Sequence, residues 1–197
     1  MSHRHRKAKI ATAKDPTQAQ LTDPEWKNHN GFRYPFPCKD TDGGEDREVL
    51  ELQIRGKVVN AFLPGGQFGH TIKIECKEED IGKVKKFIAT DPKAKEPGFR
   101  WPINENILTI SSKEDGESEY KYIWDGRGID LNDIGQRERV SANYIQRDAV
   151  VYVEFTVTGY TAKKEHGSSL KLLSVGLLDD GTTGYNFESP SKKRRTQ

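Results

Sequence analysis

Val150-Val-Tyr-Val-Glu-Phe-Thr-Val-Thr-Gly-Tyr160, a polar loop from Thr161 to Ser168, and Ser169-Leu-Lys-Leu-Leu-Ser-Val-Gly-Leu-Leu178 decide the fold class. β-Branched and aromatic residues dominate both runs, which predicts two strands joined as a hairpin. With a period of two, Val151, Val153, Phe155 and Val157 share one face, and Tyr152, Glu154, Thr156 and Thr158 share the other. The first face is expected in the core and the second free to meet a partner.

Val49 to Phe62 reads as one long strand in which Leu50, Leu52 and Ile54 alternate with Glu51, Gln53 and Arg55. Gly56 interrupts the alternation, and a bulge or bend is expected there, as a closed barrel requires. Leu63-Pro-Gly-Gly66 reads as a turn, and His70 to Cys76 as the returning strand with Ile72, Ile74 and Cys76 inside. From Glu78 to Ala89 the period changes, and Ile81, Val84, Lys85, Phe87 and Ile88 suit a short amphipathic helix. A Pro- and Gly-punctuated loop from Asp91 to Pro102 follows; it holds Lys93, Lys95, Phe99, Arg100 and Trp101. Ile107 to Ser111 and Glu119 to Trp124 read as a second hairpin, and Leu131 to Ile134 as one helical turn. About six short strands with few helices point to a mainly β domain, a small barrel or sandwich.

The charge is unevenly placed. Residues 1–14 carry Arg4, Arg6, Lys7, Lys9 and Lys14, and residues 192–197 carry Lys192, Lys193, Arg194 and Arg195, with no acid in either. These nine of the 32 basic residues leave 23 against 30 acids between the tails, a net charge of −7 in a chain whose total is +2. Attraction to a polyanion must therefore come from the tails or from a local patch. Residues 1–24 hold too few apolar positions to offset the entropy of ordering and are expected to be a mobile basic arm. The single domain is placed at residues 25–187 and a basic tail at 188–197. Trp26, Phe32, Tyr34 and Phe36, spaced by Gly31, Pro35 and Pro37, form an aromatic–proline segment expected to lie extended against the body.

The search for chemistry is mostly negative. His3, His5, His29, His70 and His166 are scattered, and Cys38 and Cys76 lack the spacing of a zinc site or a disulfide framework. No phosphate loop, dinucleotide fingerprint or nucleophile elbow is present. The reading is non-enzymatic and without cofactors. Carboxylates gathered from separate strands are the remaining enzymatic alternative. No run is long and apolar enough for a membrane helix, and no membrane partner is expected.

Binding has more support. Tyr120, Tyr122 and Trp124 fall on one face of an expected strand and are either core residues or a stacking surface for unpaired bases. Tyr152 and Tyr160, with Lys163, Lys164 and Lys171, are candidates for bases beside phosphates, and Arg55, Lys57 and Lys73 for an extension of that groove. Glu51, Glu75 and Glu154 oppose it. Ser189-Pro-Ser-Lys-Lys-Arg-Arg195 is similar to a monopartite nuclear-import signal and equally suits non-specific phosphate contact.

Residues Ile145 to Tyr160 followed by Gly167 to Leu178 resemble the last two strands of viral and phage single-stranded-DNA-binding proteins of the oligonucleotide/oligosaccharide-binding (OB) fold. The resemblance covers about a fifth of the chain, and the long strand broken at Gly56 suits such a barrel. It departs from the pattern in its basic C-terminus and acidic body. What it implies is an OB-like barrel with one short helix that coats or protects single-stranded DNA in replication or recombination. With the basic tail, it further implies a nuclear location in a eukaryotic host or its virus and an import carrier as partner; otherwise the protein is cytoplasmic. The alternative is a structural or protein-interaction β-domain of a virus or nuclear assembly. DNA against RNA preference and homo-oligomerisation stay open.

Overall fold

Short alternating runs bounded by turn residues build strands, and the computed structural model has ten among the residues it describes, which are 7–9, 24–36, 49–64, 69–112, 119–127, 138–162 and 165–181. In chain order they are β1 (Lys7–Lys9), β2 (Glu25–His29), β3 (Phe32–Phe36), β4 (Glu51–Phe62), β5 (His70–Glu75), β6 (Ile103–Asn104), β7 (Ile107–Ser112), β8 (Ile123–Asp125), β9 (Val150–Ala162) and β10 (Glu165–Asp179). The helix α1 (Glu78–Ile88) follows β5, and 3-10 turns occupy Pro92–Lys95 and Ala142–Tyr144.

Five strands close on themselves in the order β4, β5, β7, β10, β9 and back to β4. Every neighbouring pair is antiparallel except β7 with β10. Counted along the chain, the barrel order is 1-2-3-5-4-1, a Greek-key barrel of OB type. The mainly β, OB-like expectation therefore holds.

The interior follows from the period of two. Val151, Val153, Phe155 and Val157 of β9 share one core with Leu52, Ile54 and Val58 of β4, Ile72 and Ile74 of β5, and Leu108 and Ile110 of β7. Each such side chain, fully buried, contributes about 1.5–3 kcal/mol. Ile81, Val84, Phe87 and Ile88 turn the apolar stripe of α1 into the same core, while Lys85 stays exposed. Cys76 joins them at 0% exposure, and burial pushes its thiol well above the ordinary range.

Several expectations are corrected. The face of β9 expected to be free is covered: Tyr152 is 1% exposed, Glu154 5%, and Thr156 and Thr158 7% each. The physical reason begins at Gly176, opposite Tyr152 in the β9–β10 register. A Cβ built on Gly176 would lie 1.8 Å from Tyr152 Cε1, so the phenol ring occupies the space that a side chain would fill. Gly126 closes on the same ring, with a built Cβ 3.1 Å from Tyr152 Cε1. Further along, the Ser174 hydroxyl donates to Glu154 at 2.5 Å and the Thr156 hydroxyl to the Leu50 carbonyl at 3.1 Å, satisfying the buried polar groups.

The hairpin loop is also shorter than expected, because the strands run to Ala162 and restart at Glu165. The segments around β7 and β8 do not form a hairpin with each other. Both pair in parallel with β10, β7 at Leu170 and Lys171 and β8 at Val175 to Leu177, since the other edge of β7 is taken by β5. The irregularity of β4 sits between Val58 and Asn60, not at Gly56. Gly56 instead permits close approach, its built Cβ falling 2.9 Å from the Glu75 carbonyl oxygen.

The aromatic–proline segment forms the hairpin of β2 and β3, turning at Asn30 and Gly31, both at positive φ. Trp26 packs on Phe87 and donates to Thr90 Oγ1 at 3.0 Å, which fastens the hairpin to the end of α1. Within the expected mobile arm, Lys7–Lys9 pairs in parallel with Glu51 to Gln53 of β4. The expected helical turn at 131–134, Lys163, Lys164, the basic cluster 192–195 and the rest of both tails lie outside the described residues.

Gly176→Ala is expected to destabilise the protein by about 1–3 kcal/mol through overpacking against Tyr152. Chemical denaturation measures it, and adding Tyr152→Leu should recover part of the loss as a coupling energy.

Candidate nucleic-acid interface

Cross-strand register assigns each outward side chain to a row. Phe62 of β4 pairs with Thr71 of β5, Thr71 with Ser111 of β7, and Ser111 with Lys171 of β10. The next row carries Asn60, Lys73 and Thr109. Ser169, two residues before Lys171, extends the same side of β10. Neighbours within a row are about 4.8 Å apart, and rows are about 7 Å apart.

Asn60, Phe62, Lys73, Thr109, Ser169 and Lys171 are exposed, and Thr71 and Ser111 are half-buried. Phe62 is 56% exposed, the most open large apolar side chain among the described residues. These rows contain two lysines, five hydroxyl or amide side chains, one aromatic ring and no carboxylate. Beyond them, Glu75 sits opposite Lys57 in the register, and Lys57 is bound to Asp148 at 3.0 Å. That ammonium holds the Asp148 carboxyl below the usual carboxylate range.

The position of Phe62 depends on the irregularity between Val58 and Asn60. Val58 pairs with the inward Ile74, whereas Asn60 pairs with the outward Lys73, so one extra residue reverses the faces that follow. Without that extra residue, Phe62 would carry the inward parity of Leu52 and Ile54. Simple alternation therefore misses both Asn60 and Phe62. The only sequence signal available is the adjacent Val58-Val59 pair, which breaks the apolar–polar alternation.

The candidates read from the sequence fall into separate places. Lys73 and Lys171 share the outward face just described. Tyr122 lies further along β10, its carbonyl accepting from the Val175 amide at 3.0 Å; its ring is 37% exposed, stands edge-on to Tyr120 at 5.7 Å, and has Lys121 Nζ 5.1 Å from its centroid. Tyr120 belongs to the core at 3% exposure. Its amide donates to the Leu63 carbonyl, and its hydroxyl donates to the carbonyls of Leu172 and Leu173 at 3.2 and 3.1 Å. The expected aromatic stripe thus divides, because the chain becomes a strand only at Ile123.

Arg55, Tyr152 and Trp124 lie on a different side of the barrel. Arg55 pairs with Tyr152, Tyr152 with Gly176, and Gly176 with Trp124. Arg55 is exposed and Trp124 half-buried, but the Tyr152 ring between them has no open face for a base. Tyr160 lies at the far end of β9, beside Phe32 of β3.

That end is held by a buried ion pair. Arg33 Nε and Nη2 donate to the two Asp91 oxygens at 2.9 Å each, and Nη1 donates to Thr161 at 2.9 Å. The pair lies against Gly159, where a built Cβ would fall 2.4 Å from Asp91 Oδ2. Asp91 also accepts from the Lys93 amide and so caps the 3-10 turn. At the opposite end, the Glu119 carboxylate accepts from the Ala142 amide and bonds to Ser141, which holds its carboxyl below the usual range. Among the described residues, no group of three or more His, Cys, Asp and Glu is arranged to hold a metal ion.

No protein-family model and no curated protein matches the chain. Among solved structures, it is similar to the single-stranded DNA-binding protein from bacteriophage Enc34, with 14% sequence identity and a TM-score of 0.45. The match covers 89% of this chain and 95% of that one.

Arg33→Met is expected to cost about 3–5 kcal/mol by leaving Asp91 charged and unpaired in the interior. Arg33→Met with Asp91→Asn should recover part of it in urea denaturation, since the amide keeps the cap. For Glu119, the lowered folded pKa means that its stabilisation is present above the ordinary glutamate range and is lost as pH falls through the folded value. Glu119→Gln should therefore flatten the acid limb of thermal stability measured between neutral pH and about pH 3.

Proposed function

We propose that this barrel binds single-stranded nucleic acid, DNA in the first instance, across the outward face of β4, β5, β7 and β10. The observation that carries the reading is the pair of rows led by Phe62, Lys73 and Lys171. On a chain whose central part is net acidic, these rows present cations, hydroxyls and an open aromatic ring without a carboxylate. Small OB barrels use their second and third strands, with the flanking loops, for oligonucleotides, and here those strands are β5 and β7.

The chemistry suits sequence-tolerant binding. A base stacks on the face of Phe62, and Tyr122 offers a second ring further along β10. Lys73 and Lys171 neutralise phosphates, while Thr71, Thr109, Ser111 and Asn60 supply hydrogen bonds to backbone oxygens. None of these contacts reads base identity. The corresponding biological role is non-catalytic coating or protection of single strands during replication or recombination. In a nucleus, the basic cluster at 192–195 would be the segment read by an import carrier.

In fluorescence anisotropy with labelled oligothymidine, affinity should fall steeply with salt. Lys73→Ala/Lys171→Ala should reduce the slope of log K against log salt by about 1.4, the share of two phosphates on a single strand. Phe62→Ala should remove about 1–3 kcal/mol of binding, while Tyr144→Ser, which changes an exposed ring outside these rows, should bind as the wild type does. Absence of oligonucleotide binding by the full chain at low salt would sink the proposal.

A further inference from the structure

The outward side of β10 does not end at Ser169. Two residues earlier is Gly167, and the register places Tyr160 of β9 opposite it on one edge and Arg100 on the other. Phe32 of β3 pairs with Tyr160 in turn. One row thus runs Phe32, Tyr160, Gly167, Arg100, on the same side as Ser169 and Lys171 and on the order of 13 Å along the strand from Lys171.

Gly167 permits this row to close up. A Cβ built there would lie 2.8 Å from Arg100 Cβ and 2.9 Å from the Tyr160 hydroxyl oxygen. Arg100 is fixed as if it were a strand residue: its amide donates to the His166 carbonyl, and its carbonyl accepts from the Ser168 amide, both at 3.0 Å. Phe32 is 41% exposed and Tyr160 half-buried, so two rings share the row with an arginine whose backbone is held in place.

The Arg100 guanidinium is engaged by a carboxylate, with Nη2 2.6 Å from Glu165 Oε1. Both side chains are more than half exposed, at 62% and 54%. An ion pair so open to solvent adds little to stability and is easily exchanged. A phosphate presents the same oxygen geometry to a guanidinium with a similar charge.

We propose that Phe32, Tyr160 and Arg100 form a second subsite for single-stranded nucleic acid, stacking a base on the ring pair and binding a phosphate at Arg100. Glu165 occupies the guanidinium in the free protein, and the incoming phosphate displaces it. The subsite rests on the functional reading above and extends the contacted length from the β5–β7 face to the turn end of the β9–β10 hairpin, within the span of about 4–16 nucleotides that one OB barrel covers.

The test measures binding of labelled oligothymidine of about 16 nucleotides, with oligouridine run in parallel, over a salt series. Glu165→Gln removes the competing charge and should tighten binding about 3- to 10-fold, because the phosphate no longer has to displace a carboxylate from Arg100. Phe32→Ala should weaken binding about 5-fold or more. A gain of affinity in Glu165→Gln cannot arise from misfolding, which keeps the outcome readable if Phe32→Ala is unstable. Wild-type binding with Glu165→Gln unchanged or weaker overturns the subsite and leaves the face on β5 and β7 standing. No binding by the wild type overturns both.

Discussion

Closure of the barrel depends on β9 being paired along both edges. β10 follows it from Val150 to Ala162 on one side, while β4 and then β3 share the other. A strand so placed satisfies backbone groups on both sides within the sheet, and β3, β4 and β10 take their positions from it. The long hairpin also sets the parallel contact of β10 with β7 and β8, because their strands can reach β10 only on the edge that β9 leaves open. Residues far apart in the chain meet there, and the Greek-key order follows.

That arrangement comes at the cost of the outer face of β9. Tyr152 fits because residues 126 and 176 are glycines, and Glu154 and Thr156 are accommodated by hydrogen bonds to Ser174 and Leu50. A covered β9 moves the open surface to the opposite wall, β5 and β7 with the adjoining ends of β4 and β10. Two of the three irregularities in these strands, at Val58/Asn60 and Leu172/Ser174, then decide which residues face outward on that wall and keep Val175 and Leu177 in the core. In each case one additional residue bends the strand and exchanges its faces.

Electrostatics acts locally in this molecule. The chain between its tails carries more acid than base, yet several carboxylates are engaged by their own partners: Asp91 by Arg33, Asp148 by Lys57, Asp125 by Arg127 and Glu165 by Arg100. Lys73 and Lys171 stand in rows without an acid, so a polyanion approaching that wall meets cations at short range. Beyond about one Debye length the distant acids are screened.

Period, composition and turn residues in the sequence alone determine a mainly β domain, a small barrel or sandwich with one short helix, the inward sets of β4, β5 and β9, and the absence of familiar catalytic motifs. These are local properties: alternation needs only neighbouring residues, and apolar burial follows from it. Lys73 and Lys171 were legible for the same reason, since each lies on a regular stretch whose parity reads directly. Tertiary structure alone decided that Tyr152 and Tyr120 are buried, that β7 and β8 part company, that Phe62 turns outward and that Arg100 joins Tyr160. Each of these depends on a neighbour supplied by a distant segment or on a bulge that shifts parity by one. A two-residue period carries no memory of either, so the strands were readable along the chain, while Phe62, Asn60 and Arg100 of the proposed surface were readable only across it.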